Sequence, residues 1–210
     1  MEVYKVLGPN GQAHHGGKGK WPLPTKCDDG WTPGEWLSVT PPIIPCAHGL
    51  HLCRRQDLVT WLGPMIYRAE YEGDMVEGDG KIVVSRARLL APVETWNDRT
   101  AGLFACDCAA HVLQYWERYY PDDKRPHEAI EVARRFARGD ATWQQMAEAA
   151  WAAARAAAWA AEAAWAARAE AAEAAEAARA AAEAAAEAER AWQTERLFEY
   201  LDNKEATDGK

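Results

Sequence analysis

The chain has 210 residues, 49% of them hydrophobic, with 24 basic and 32 acidic side chains and a formal charge of −8. An acidic balance argues against general affinity for nucleic acid, which rests on Lys and Arg neutralising phosphates, and leaves a basic protein open as a partner. The charge is uneven: residues 1–95 carry 10 basic and 11 acidic groups, residues 96–140 carry 7 and 8, and residues 141–210 carry 7 and 13.

Val3 to Leu7 alternates as a strand and leads into the turn Gly8-Pro9-Asn10-Gly11. From Gly16 to Pro45 the chain is rich in Gly, Pro and Trp and too broken for regular elements. His51 to Leu62 suits a short helix from about Arg54, ended by Gly63 and Pro64. Met65 to Tyr71 and Lys81 to Leu90 read as two strands joined by a glycine-studded connection. Residues 1–94 therefore make a small α+β domain.

Helical patterning starts at Thr95, a plausible N-cap for a helix from Trp96 to about Tyr119, stopped by Pro121. A second helix has Pro126 and Glu128 in its first turn, Arg135 and Arg138 near its end, and Gly139 just past it. Residues 95–139 are thus a helical hairpin. Asp140 or Thr142 then caps a third helix, with Gln145 placed to close a capping box on Thr142.

That third element spans residues 140–203, before a flexible tail at 204–210. From Ala147 to Ala191, 30 of 45 residues are Ala and the other 15 are Glu, Arg or Trp. Ala, Glu and Arg are the best helix formers, so the segment is expected to be a single rod on the order of 95 Å long, with folding back as the alternative. Twelve of its bulky positions from Trp151 to Arg190 advance by 39 residues in 11 steps, so one stripe carries nearly all of them. Trp143, Trp151, Arg155, Trp159, Glu162 and Trp165 either cover the preceding domain or anchor a protein partner, since Trp and Arg dominate interface hot spots. The Ala faces could also pair identical chains into a homo-oligomer. Trp192, Leu197, Phe198 and Leu201 restore apolar character and could dock the end of the helix.

The segment Leu103 to Thr142, LFACDCAAHVLQYWERYYPDDKRPHEAIEVARRFARGDAT, resembles the helical domain of a family of bacterial immunity proteins associated with polymorphic-toxin systems and seen in phage genomes. Tyr4-Lys5-Val6, the run Cys46 to Cys53 and the strand from Ile66 to Gly73 are similar to an uncharacterised domain of phage proteins. The first resemblance implies a protein that acts by binding another protein rather than by turnover.

Chemistry has weaker anchors. Cys46, His48, His51 and Cys53 offer zinc-type donors without Cys-x2-Cys spacing, so no metal is expected. Cys106 and Cys108 point about 200° apart on a helix, one inward and one marginal. His14, His15 and Lys18 among glycines could hold a nucleotide, with Glu70 as the carboxylate of an ADP-ribosyltransferase-like site, although no Walker or dinucleotide frame is present. Trp21, Trp31, Trp36 and Trp61 could stack on a base or pin an irregular stretch. No serine-hydrolase elbow or catalytic Cys-His pair stands out. No window approaches twenty uncharged apolar residues, and five cysteines without a secretory leader fit a reduced, cytoplasmic setting. The expectation is a non-enzymatic α+β protein that occludes a protein partner, without cofactor or membrane.

Overall fold

The computed structural model describes residues 2–15, 17, 19–168 and 175–202, with backbone only for 156–168 and 175–181. The chain is mixed α+β and divides into two units, one of residues 1–97 with 193–210 and the other of residues 98–192.

The first unit is built on five strands, β1 (Val3–Leu7), β4 (Leu37–Ser38), β5 (Leu50–Arg54), β6 (Met65–Gly78) and β7 (Lys81–Pro92), in the order β4-β7-β5-β1-β6. β6 also pairs with β7, so the ladder β7-β5-β1-β6 closes on itself and buries edges that would otherwise be open. Register shifts at Arg68/Ala69 and Glu72/Met75 bend the long β6–β7 hairpin enough to do this. A two-stranded ribbon, β2 (Thr25–Cys27) and β3 (Gly30–Thr32), lies in the stretch read as irregular. The helix expected from Arg54 is a 3-10 segment, Arg55–Trp61, that directly follows β5.

Val3, Leu7, Trp21, Leu52, Ile82, Val84 and Leu89 form one core cluster. On the other face of β1, Tyr4 packs edge-on against Phe198 with ring centroids 5.5 Å apart. The end of the last helix therefore completes this unit: Leu197, Phe198 and Leu201 are buried, and the Arg55 guanidinium lies 3.6 Å from the Phe198 ring centroid. Thr95 does not act as a helix cap. Its hydroxyl donates to the Leu201 carbonyl at 2.6 Å, and the helix begins three residues later at Asp98.

Gly49 shows how tight the first unit is. Its φ of 143° disfavours any other residue, and an added Cβ would run into Val83 Cγ1. Gly49→Ala is expected to cost about 1–3 kcal/mol, read as a lower urea midpoint with an unchanged slope.

The second unit holds α1 (Asp98–Glu117), α2 (Arg125–Arg138), α3 (Trp143–Arg168) and the first part of α4 (Ala175–Asp202). The punctuation of α2 is as the sequence implies: Gly139 takes φ 88° and its N–H reaches the Arg135 and Phe136 carbonyls. The Thr142 capping box also forms, with Gln145 N–H on Thr142 Oγ1 at 3.2 Å and Thr142 N–H on Gln145 Oε1 at 2.9 Å. An added Cβ on Gly102 would touch Ala137, which shows how closely α1 and α2 approach, and Arg134 bridges to Asp107 at 3.0 Å.

The single straight rod is not what forms. Met146 and Ala150 of α3 share a cleft with Ala109 of α1, two residues from His111, on which the Trp192 ring of α4 stacks at 3.7 Å. A straight helix would separate Met146 from Trp192 by about 70 Å at 1.5 Å per residue. Both ends of the Ala-rich segment instead return to α1, because Trp192 and Met146 find apolar partners there that an extended rod would leave in water. Residues 169–174, between α3 and α4, lie outside the described residues.

Candidate functional site

Two surfaces carry chemistry, one in each unit. In the first unit a cleft of about 540 Å³ lies against β1 and β5, lined by Lys5, His14, His15, Trp21, His51, Trp61 and Lys81 among others. Lys5 has the same parity on β1 as Val3 and Leu7, so a cation occupies a core-facing position. Its Nζ donates to the His51 carbonyl at 2.9 Å and sits 5.0 Å from the Trp21 ring centroid. Lys81 Nζ lies 4.8 Å from the Trp61 ring centroid.

Burial lowers the Lys5 ammonium to about 8. His51 is also lowered, first by burial and then by Lys5 and Lys81. Its Nε2 accepts the Cys46 N–H at 3.1 Å, which fixes the proton of the neutral ring on Nδ1. Burial pushes the Cys53 thiol up to about 12 despite Lys5, so at neutral pH it is no counter-charge. His15 Nε2 is 2.9 Å from the Trp61 carbonyl, which can only accept, so that nitrogen carries the proton.

These groups make a testable pH dependence. Lys5 bears on His51 and Cys53 of β5, on which Lys81 of β7 also acts, while Asp57 acts on Cys53. Between pH 8 and 9 the folded Lys5 has begun to lose its proton while the unfolded one, near 10.5, keeps it. The unfolded state then binds more protons, so stability rises with pH by about 1 kcal/mol. Above pH 9 the unfolded Cys53 ionises and the folded thiol does not, which offsets the Lys5 contribution and flattens the rise. Lys5→Met should abolish the rise, as followed by denaturant midpoints across pH 7–10.

The structure brings His14 and His15 into this cleft, their rings 4.4 Å apart, but not Glu70. Glu70 lies on β6 and pairs with Arg88 at 2.5 Å, so the transferase-like grouping of His14, His15 and Glu70 is not assembled. The reason is register: Glu70 stands opposite Arg88 on β7, a neighbour that takes the carboxylate. Lys18 lies outside the described residues. Cys46, His48, His51 and Cys53 do not converge, with His48 Nε2 on the Thr40 carbonyl at 2.8 Å. No group of three metal-type donors occurs among the described residues. Trp36 is covered by Arg86 and Arg88, at 4.5 and 4.7 Å from its ring centroid. Lys5, His51 and Lys81 were not among the nucleotide-site candidates. Lys5 carried a signal: it is the charged residue inside an alternating apolar strand.

In the second unit Trp143 and Trp151 are each 67% exposed, large rings left in water. Trp143 meets Phe136 edge-on at 5.9 Å, and the Arg155 guanidinium lies 5.0 Å from the Trp151 ring centroid. Near them α1, α2 and α3 enclose an apolar cleft of about 380 Å³ between Gly102, Cys106, Ile130, Phe136 and Met146. The side chains of Trp159, Glu162 and Trp165 lie outside the described residues. No helix among the described residues is long and apolar enough to cross a membrane.

Among curated proteins and solved structures none matches the chain. The sequence model of one family, described as Imm-5 like putative immunity protein, matches residues 91–200, which take in the whole second unit and its return into the first. With more than half of its length matched, the chain belongs to the Imm-5 like immunity-protein family.

Proposed function

We propose that the protein is a non-enzymatic immunity factor that binds a toxic protein and covers the surface that protein works with, in a toxin-immunity or phage–host conflict. The observation that carries this reading is that the family match falls on the unit where Trp143 and Trp151 stand exposed. A Trp ring in water gives up apolar burial that a partner can recover, and Trp and Arg are the residues that most often anchor interfaces. Trp143, Trp151 and Arg155 are assigned to this contact, with Trp159, Glu162 and Trp165 continuing it at helical spacing. The excess acidic charge of residues 141–210 suits a basic partner and would speed its capture.

The test is to co-produce the full chain with candidate toxin domains from the same genome, scoring growth and complex formation by size exclusion. Rescue of growth with a stoichiometric complex and an unmodified toxin is expected. Rescue with no complex, or with a chemically altered toxin, would sink the reading. A chain that elutes as a stable dimer and forms a complex with none of the toxins would favour the structural homo-oligomer instead.

A further inference from the structure

We propose that the cleft against β1 and β5 binds a small organic phosphate, a phosphate monoester of about mononucleotide size, at Lys5 and Lys81. The argument begins from charge. Among the described residues, those lining the cleft include two lysines and three histidines and no Asp or Glu. Among the described residues neither Lys5 nor Lys81 makes an ion pair, although Arg54, Arg55, Arg68, Arg86 and Arg88 of the same unit all do. A cation set among core residues without a counter-charge is costly, and Lys5 shows that cost in its lowered proton affinity. An anion in the cleft removes it.

Phosphate suits the donors better than a single carboxylate does. Lys5 and Lys81 both line the space and both act on the His51 ring. Gly19 lines the same space with nothing within 4 Å of where a Cβ would stand, so backbone there can approach a phosphate closely. His15 and Cys46, two of the three non-glycine residues with positive φ among the described residues, also line it, at 56° and 63°. Such backbone is held where the surroundings require it, and it gathers at ligand sites. The volume decides between free phosphate and an ester: about 540 Å³ falls within the usual range for small-molecule sites and far exceeds one phosphate group. The site is independent of the immunity reading, because every residue in it lies in the first unit and before the family match begins.

Calorimetry on the full chain with adenosine 5′-monophosphate, ribose 5-phosphate, inorganic phosphate and adenosine tests the proposal. Binding of at least one ester, tighter than inorganic phosphate and absent for adenosine, is expected. Lys5→Met and Lys81→Met should each weaken it roughly ten- to hundredfold, the usual loss of one charge-assisted hydrogen bond. No binding by either ester at millimolar concentration overturns the proposal. So does adenosine binding as well as its phosphate, inorganic phosphate binding tighter than both esters, or full affinity in the folded variants. Should Lys5→Met fail to fold, Lys81→Met and His15→Gln decide by the same criterion.

Discussion

Phe198→Ala should lower the melting temperature of the first unit by roughly 15–30 °C, and a chain ending at Trp192 should show no cooperative melting of that unit at all. Phe198 is 1% exposed, with Tyr4 at its edge and Arg55 over its face. Removing a buried aromatic side chain costs about 3–5 kcal/mol, and each kcal/mol is worth about 4–8 °C in a domain of this size. The truncation also removes Leu197 and Leu201, at 0% and 3% exposure, and the Leu201 carbonyl that receives the Thr95 hydroxyl. Three buried side chains together approach the whole stability of a small domain. Near-UV circular dichroism is the readout, because helix signal from the second unit would mask the change in the far ultraviolet. Survival of the transition in the truncated chain would mean that the last turns of α4 lie on the sheet without supporting it.

The second large effect concerns recognition. Trp143→Ala combined with Trp151→Ala should reduce affinity for the toxic partner by about 100- to 1,000-fold while leaving the melting temperature within a degree or two. Both rings are 67% exposed, so truncating them removes little from the folded chain. At an interface, by contrast, a buried Trp commonly contributes 2 kcal/mol or more. Phe136→Ala serves as the contrasting variant: it is 38% exposed and lines the cleft between α1, α2 and α3, so it should lose stability as well as affinity. Surface plasmon resonance on purified variants measures both the loss and its origin, which is expected in the dissociation rate. Undiminished affinity in the double variant would place the contact on another face.

Where local chemistry decides, the sequence was readable. The bounds of β1, the αL glycine after α2 and the capping box before α3 follow from residues within a turn of one another, and the structure has all three. β6 and β7 begin where expected but run on past Tyr71 and Leu90, because pairing with each other carries them beyond their apolar cores. Thr95 illustrates the limit: its type and position suit a cap, yet its hydroxyl serves a carbonyl 106 residues away. The Ala-rich segment is another such case. Propensity favours one rod, and only the distant His111 and the apolar wall of α1 draw both its ends back. For the sites, exposure of Trp143 and Trp151 could not be told from coverage by another unit using spacing alone. Of the cleft only His14 and His15 were legible, because Lys5 and Lys81 join them through strand pairing, not through any contiguous motif.

The first unit is interrupted: its strands end at Pro92, but the residues that cover Tyr4 arrive only at Leu197 to Leu201. A ribosome adding about 5–20 residues per second needs roughly 5–20 s to cross that interval. Throughout it the nascent sheet shows water an apolar face meant for α4, while the intervening helices can already fold. The amount of newly made chain that survives should therefore depend on translation speed between the codons for Pro92 and Leu201.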